Sequence, residues 1–119
     1  MNLQRGNIVI VDYPYSDQIR SKIRPALVVQ SDIWNQRLDN TIIASITSSQ
    51  HRRVGAPTQY FIDTTTTDGE PTGLRFNSIV QCENLLTYNK SRILSVIGSL
   101  SDSAMQQIDA CLKASLGIP

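Results

Sequence analysis

Short apolar runs separated by turn residues organise this chain. Asn7–Tyr13 (NIVIVDY) predicts a strand, opened by Gly6 and closed by Pro14. Pro25–Gln30 (PALVVQ), Thr41–Thr47 (TIIASIT) and Thr58–Asp63 (TQYFID) predict three more. Ser78–Thr87 and Arg92–Leu100 complete a set of six, with Gly98 marking a bulge or a close backbone approach. Six short strands with turns between them favour a small barrel or sandwich over alternating βαβ units. The period then changes. Met105, Ile108, Leu112 and Leu116 fall at spacings of three and four, which predicts one amphipathic helix packed on the sheet. Ser101 or Ser103 caps its start, and Gly117 followed by Pro119 stops it.

Three polar loops separate the strands. Ser16–Ile23 carries Arg20 and Lys22, and Ser48–Pro57 carries the only histidine, His51, beside Arg52 and Arg53. Thr64–Asn77 is the longest and holds a run of four threonines. No repeat or linker interrupts the pattern, so 1–119 reads as one domain. The length, 119 residues, suits a single core without staples.

Charge changes the picture only locally. The net charge is +1, but residues 1–55 carry seven basic and four acidic groups, whereas 56–119 carry four and six. A polyanion partner is therefore allowed through a local patch. No apolar run is long enough to cross a membrane, and MNLQRGN lacks the apolar centre of an export signal. A reduced, cytoplasmic chain is expected, with Cys82 and Cys111 as buried, inert thiols within apolar patterns.

Several chemistries are disfavoured. One histidine and two separated cysteines make no zinc set of ordinary spacing. The glycine-rich phosphate loops and the G-x-S-x-G elbow are absent. What remains is arginine, hydroxyls and carboxylates beside strands. Arg24 sits where a basic loop enters an apolar strand, its backbone restricted by Pro25. A guanidinium so held can grip two phosphate oxygens and stabilise charge that develops there. Thr47 ends the TIIASIT run at a polar loop, where a hydroxyl can bond a phosphate oxygen. Taken alone, each observation fits an ordinary surface arginine and an ordinary strand-end threonine better than a site.

Longer strings make these residues specific. Arg5-Gly6-Asn7-Ile8-Val9-Ile10-Val11-Asp12-Tyr13-Pro14 resembles the opening of MazF/PemK-type toxins. Arg24-Pro25-Ala26-Leu27-Val28-Val29 resembles their most recognisable motif, and Ile46-Thr47-Ser48 the strand end that follows it. Gly73-Leu74, Ser78-Ile79-Val80, Glu83, Asn84 and Thr87 resemble the later block, with Lys90, Arg92 and Gly98 in familiar places. The resemblance covers nearly the whole chain in the right order.

This resemblance implies a mainly β fold, an SH3-like small barrel of the CcdB/PemK/MazF type with a C-terminal α-helix, and a homodimer. It implies the toxin half of a type II toxin–antitoxin system, neutralised by a cognate MazE-like antitoxin. The activity implied is metal-independent, sequence-specific cleavage of single-stranded RNA. The 2′-hydroxyl attacks the adjacent phosphate, leaving 2′,3′-cyclic phosphate and 5′-hydroxyl ends. Such chemistry requires positioning, charge stabilisation and a route for two protons, and no cofactor. Carried over by motif, Thr47 holds a non-bridging oxygen and Arg24 stabilises the pentacoordinate state. Because a guanidinium stays protonated, it is a poor base. Glu83 matches an acidic position that serves as base or orients Arg24. Asn84 matches a polar position that reads a base edge. The expected RNA contacts are Tyr13, Tyr15, Arg20, Lys22, Ser48 and Asn84, with the tyrosines as stacking platforms ahead of Trp34.

The chain departs from the family in three places. No glycine stands in the loop before Arg24-Pro25, Gln81 replaces an arginine of some PemK-like members, and Leu86 replaces a frequent basic residue. Two other functions compete. A gyrase poison of the CcdB type depends on a C-terminal tryptophan, whereas the only tryptophan here is Trp34. A non-catalytic SH3-like binding module would lose nothing catalytic on Arg24→Ala.

Overall fold

The computed structural model describes residues 2–14, 21–48 and 55–119. Among these, six strands form one antiparallel sheet: β1 (Asn7–Pro14), β2 (Ser21–Val28), β3 (Asn40–Ser48), β4 (Gln59–Ile62), β5 (Ser78–Asn89) and β6 (Ser95–Ser99). Their order across the sheet is β4-β5-β3-β2-β1-β6. The sheet curls as a half-barrel with β4 and β6 at its edges, so the expected small barrel is an open one. Two helices, α1 (Asp32–Arg37) and α2 (Asp102–Leu116), and two 3-10 turns, Glu70–Thr72 and Lys90–Arg92, complete the chain.

Strand alternation divides the core in two. One face carries Ile8, Leu27, Ala44, Ile46, Val80 and Cys82, in one core cluster with the buried residues of α2. The opposite face carries Val9, Val11, Ala26, Val28, Ile43 and Tyr88, covered by Leu3 and Ile93. Helix α2 buries Ala104, Met105, Ile108 and Cys111. Its apolar stripe ends before the last turn: Cys111 is buried, Leu112 is partly buried and Leu116 is exposed. Ser101, not Ser103, is the N-cap, its Oγ accepting from Ala104 N at 3.2 Å. Gly117 adopts a left-handed φ of 70° and closes the helix.

The differences from the sequence pattern have local causes. Strand β2 begins at Ser21, four residues before the apolar run, because the polar stretch pairs with β1 as Tyr13–Lys22 and Val11–Arg24. Helix α1 is too short to show a helical period. It is held instead by buried Asn35, whose Oδ1 accepts from Gln30 Nε2 and Thr41 Oγ1. Lys90 Nζ donates to the Asn35 carbonyl from across the sheet end. Arg5 joins both helices: its backbone N–H donates to Asp32 Oδ1, its Nε to the Val29 carbonyl, and its guanidinium pairs with Asp109. At Gly98 a side chain would collide with the backbone of Pro71 and Thr72, which explains the glycine.

Candidate active site

The second sheet face turns polar at one end. On β2, Arg24 shares a face with Ala26 and Val28, as its pairing with Val11 requires. On β3, Ser45 and Thr47 follow Ile43 on the same face. Among the described residues the β2–β3 ladder runs from Val28–Ile43 to Ala26–Ser45. The next residue, Pro25, has no N–H to add to it. Counting two residues beyond Ala26–Ser45 on each antiparallel strand reaches Arg24 and Thr47. The two motif residues therefore stand on one face, on adjacent strands, just past the end of a ladder.

Strand β5 supplies the rest through a bulge. Ala44 pairs with Leu85 but Ser45 pairs with Gln81, so Cys82, Glu83 and Asn84 have no counterpart on β3. Extra residues of this kind re-aim side chains beside functional sites. Here they turn Glu83 toward the neighbouring edge. Its Oε1 accepts from Thr58 Oγ1 at 3.0 Å and its Oε2 from Gln59 Nε2 at 2.8 Å. Asn84 is exposed, and its Nδ2 donates to Gln81 Oε1 at 3.3 Å. Gln81 Oε1 also accepts from Ser45 Oγ at 3.0 Å.

Tyr13 underlies the arginine. The Arg24 guanidinium carbon is 5.6 Å from the centroid of the Tyr13 ring, within cation–π range. The Tyr13 hydroxyl donates to the Asn84 carbonyl at 3.5 Å. Burial raises the Tyr13 pKa above its ordinary value, against the opposing pull of Ser45 and the Arg24 charge. One ring face is thus covered by Arg24.

Of the other expected contacts, Lys22 is exposed on the same face as Tyr13, and Ser48 pairs with Ser78 at the end of β3. Tyr15 and Arg20 lie outside the described residues, as does His51. Trp34 sits on α1, beside the opposite end of β3 from Thr47, with Arg37 6.0 Å over its ring. Two features went unread in the sequence. Ser45 is a buried hydroxyl inside an apolar strand, and its place in TIIASIT was the available signal. Phe76, 76% exposed, precedes β5 at the end where Ser48 pairs with Ser78, and nothing in its local pattern marks it.

The buried thiols are remote from this face. Cys82 and Cys111 face each other between β5 and α2, with no disulfide. Burial, reinforced by Cys111, pushes the Cys82 thiol up to about 12. No three His, Cys, Asp or Glu side chains converge among the described residues. No helix among them is long and apolar enough to cross a membrane.

Residues 4–116 match the sequence model of the PemK-like, MazF-like toxins of type II toxin–antitoxin systems. The chain belongs to this family. The toxin is 30% identical to the endoribonuclease EndoA of Bacillus subtilis over 99% of its own length and 97% of the relative's. Its fold superposes on an endoribonuclease in complex with its cognate antitoxin from a mycobacterial species, with a TM-score of 0.78 at 21% identity, covering 98% of the toxin and 97% of that chain. It also superposes on a MazE–MazF structure from Deinococcus radiodurans, with a TM-score of 0.74 at 17% identity over the whole of both chains. The SH3-like, helix-capped fold implied by the sequence motifs is thus the one observed.

Proposed function

We propose that this toxin is a metal-independent endoribonuclease that cuts single-stranded RNA at short sequences in the cytoplasm. The observation that carries this reading is the placement of Arg24 and Thr47 on one sheet face past the end of the β2–β3 ladder. A phosphate lying there meets a planar five-donor fork on one side and a hydroxyl donor on the other.

In the proposed reaction the ribose 2′-oxygen attacks the adjacent phosphorus and the bond to the 5′-oxygen breaks. The nucleophile belongs to the substrate, so the protein supplies position and charge rather than a covalent partner. Thr47 holds a non-bridging oxygen. Arg24 stabilises the negative charge that grows on the pentacoordinate phosphorus. The 2′-hydroxyl proton passes to Glu83. Both of its oxygens already accept one hydrogen bond, but a carboxylate has lone pairs for more. The departing 5′-oxygen takes its proton from water. The products are a 2′,3′-cyclic phosphate and a 5′-hydroxyl.

The polar end of the sheet also suits single-stranded RNA. Lys22 adds charge, Asn84 and Ser48 offer base-edge or backbone partners, and the exposed Phe76 ring offers a stacking face. Tyr15 and Arg20 are proposed to extend this surface. We assign the toxin a homodimeric state and a MazE-like antitoxin whose extended segment covers the same groove. The test is digestion of a long mixed-sequence single-stranded RNA in EDTA, with product ends mapped. Cleavage at a recurring short sequence with cyclic phosphate ends supports the reading, and intact RNA overturns it.

A further inference from the structure

Two side-chain amides at the polar end of the sheet carry groups that the phosphate chemistry does not use. Gln81 on β5 stands opposite Ser45 on β3, and Ile79 stands opposite Thr47. Gln81 and Thr47 are therefore diagonal cross-strand neighbours on one face, about 7 Å apart. The inner side of the Gln81 amide is fixed. Its Oε1 accepts from Ser45 Oγ at 3.0 Å and from Asn84 Nδ2 at 3.3 Å. Ser45 is 1% exposed, so breaking its bond would leave a buried hydroxyl without a partner. Both lone pairs of the Gln81 oxygen are thereby used. The Gln81 Nε2 donors and the Asn84 Oδ1 acceptor meet no partner among the described residues. Asn84 is exposed and Gln81 half-buried. The two linked amides thus hold a donor and an acceptor side by side, next to Thr47. A phosphate only accepts, and it would set its negative charge against the Asn84 oxygen. A nucleobase edge carries a donor and an acceptor together.

We propose that Gln81 is a specificity-determining residue which, together with Asn84, reads one nucleobase beside the phosphate held at Arg24 and Thr47. Ser45 turns the Gln81 oxygen inward, so the amide presents its donors to the RNA. The inference rests on the nuclease reading, with RNA lying across the Arg24–Thr47 face. The linked amides also permit a clean inversion. Gln81→Glu keeps an oxygen that accepts from Ser45 and Asn84 but replaces the outward donor with an acceptor. Two neighbouring acceptors match two neighbouring donors. Among RNA base edges, only the N1–H and N2–H2 of guanine supply such a pair.

The experiment digests a random-sequence single-stranded RNA pool with the parent, Gln81→Met and Gln81→Glu, and sequences the new ends. Gln81→Met should weaken the preference at one position of the cleaved sequence about tenfold and keep the others. Gln81→Glu should gain guanine at that same position. An unchanged cleaved sequence in Gln81→Met, or a loss of rate equal at every sequence, overturns the proposal. Should Gln81→Met not fold, Asn84→Ala, at an exposed position, takes its place under the same criteria. A parent that leaves the pool intact refutes the nuclease reading. The RNA that each protein retains from the same pool then decides the inference on its own. Parent and Gln81→Met should retain pools that differ in base preference at one position. Identical pools, or none retained by the parent, overturn it.

Discussion

The Arg24 guanidinium carbon lies over the Tyr13 ring, 5.6 Å from its centroid, although eleven positions separate the two residues in the chain. The antiparallel pairing of β1 with β2 brings them together, Tyr13 opposite Lys22 and Arg24 opposite Val11. The contact makes Arg24 a held group instead of a loose surface cation.

Holding matters if the fork geometry is what the reaction uses. Arg24→Lys retains the charge but loses the planar pair of donors. The cleavage rate should fall by about 10²–10³, as when one donor to a developing oxyanion is removed. Circular dichroism and the thermal midpoint should stay near the parental values, since Arg24 is only half-buried. A rate within about threefold of the parent would mean that charge alone suffices at this position.

Glu83 joins the bulge of β5 to the edge strand, so its replacement has two consequences. Glu83→Gln removes a charged acceptor from Thr58 and Gln59 and should reduce stability by about 1 kcal/mol, read from urea unfolding. If Glu83 takes the 2′-hydroxyl proton, the same variant should lose about 10²-fold or more in cleavage rate while still folded. Loss of stability with full rate would leave it a structural anchor of β4.

The thiol of Cys82 predicts an alkaline weakness. Its value is pushed up to about 12 from an ordinary 9.0. Above pH 9 the unfolded chain releases this proton and the folded chain keeps it. Stability is therefore fully present below pH 9 and declines as pH rises toward 12, by about 1.4 kcal/mol per unit at most. The stability difference between parent and Cys82→Ala, measured by urea unfolding, should shift in favour of the variant over that range. The same burial predicts slow modification by thiol reagents until the protein unfolds.

Gly98 and the 3-10 turn at Glu70–Thr72 are in backbone contact. Gly98→Ala should destabilise by about 1–3 kcal/mol through forced displacement of that turn. Its thermal midpoint should fall while Arg24-dependent chemistry persists below the transition. An unchanged midpoint would show that the turn yields at no cost.

Much of this was legible in the sequence. The apolar runs located all six strands, because half-buried strands alternate and turns interrupt them, and α2 announced itself by its period. The arginine before Pro25 and the threonine ending TIIASIT were visible as residues, and their shared face follows from pairing. The rest depends on contacts between distant positions. Helix α1 is too short for a period and exists through Asn35, Gln30 and Thr41. The polar start of β2 is a strand because β1 pairs with it. Glu83 leans toward β4 because the bulge turns it there, which no spacing in the chain reveals. Arg5 and Lys90, prominent in the family's motifs, turn out to fasten helices to the sheet.

The most direct measurement is digestion of mixed-sequence single-stranded RNA in EDTA by the parent, Arg24→Ala and Thr47→Ala, with product ends mapped. The account predicts parental cleavage at a short recurring sequence, 2′,3′-cyclic phosphate ends, and loss of cleavage in both folded variants. Full cleavage by either variant, or none by the parent, would contradict it.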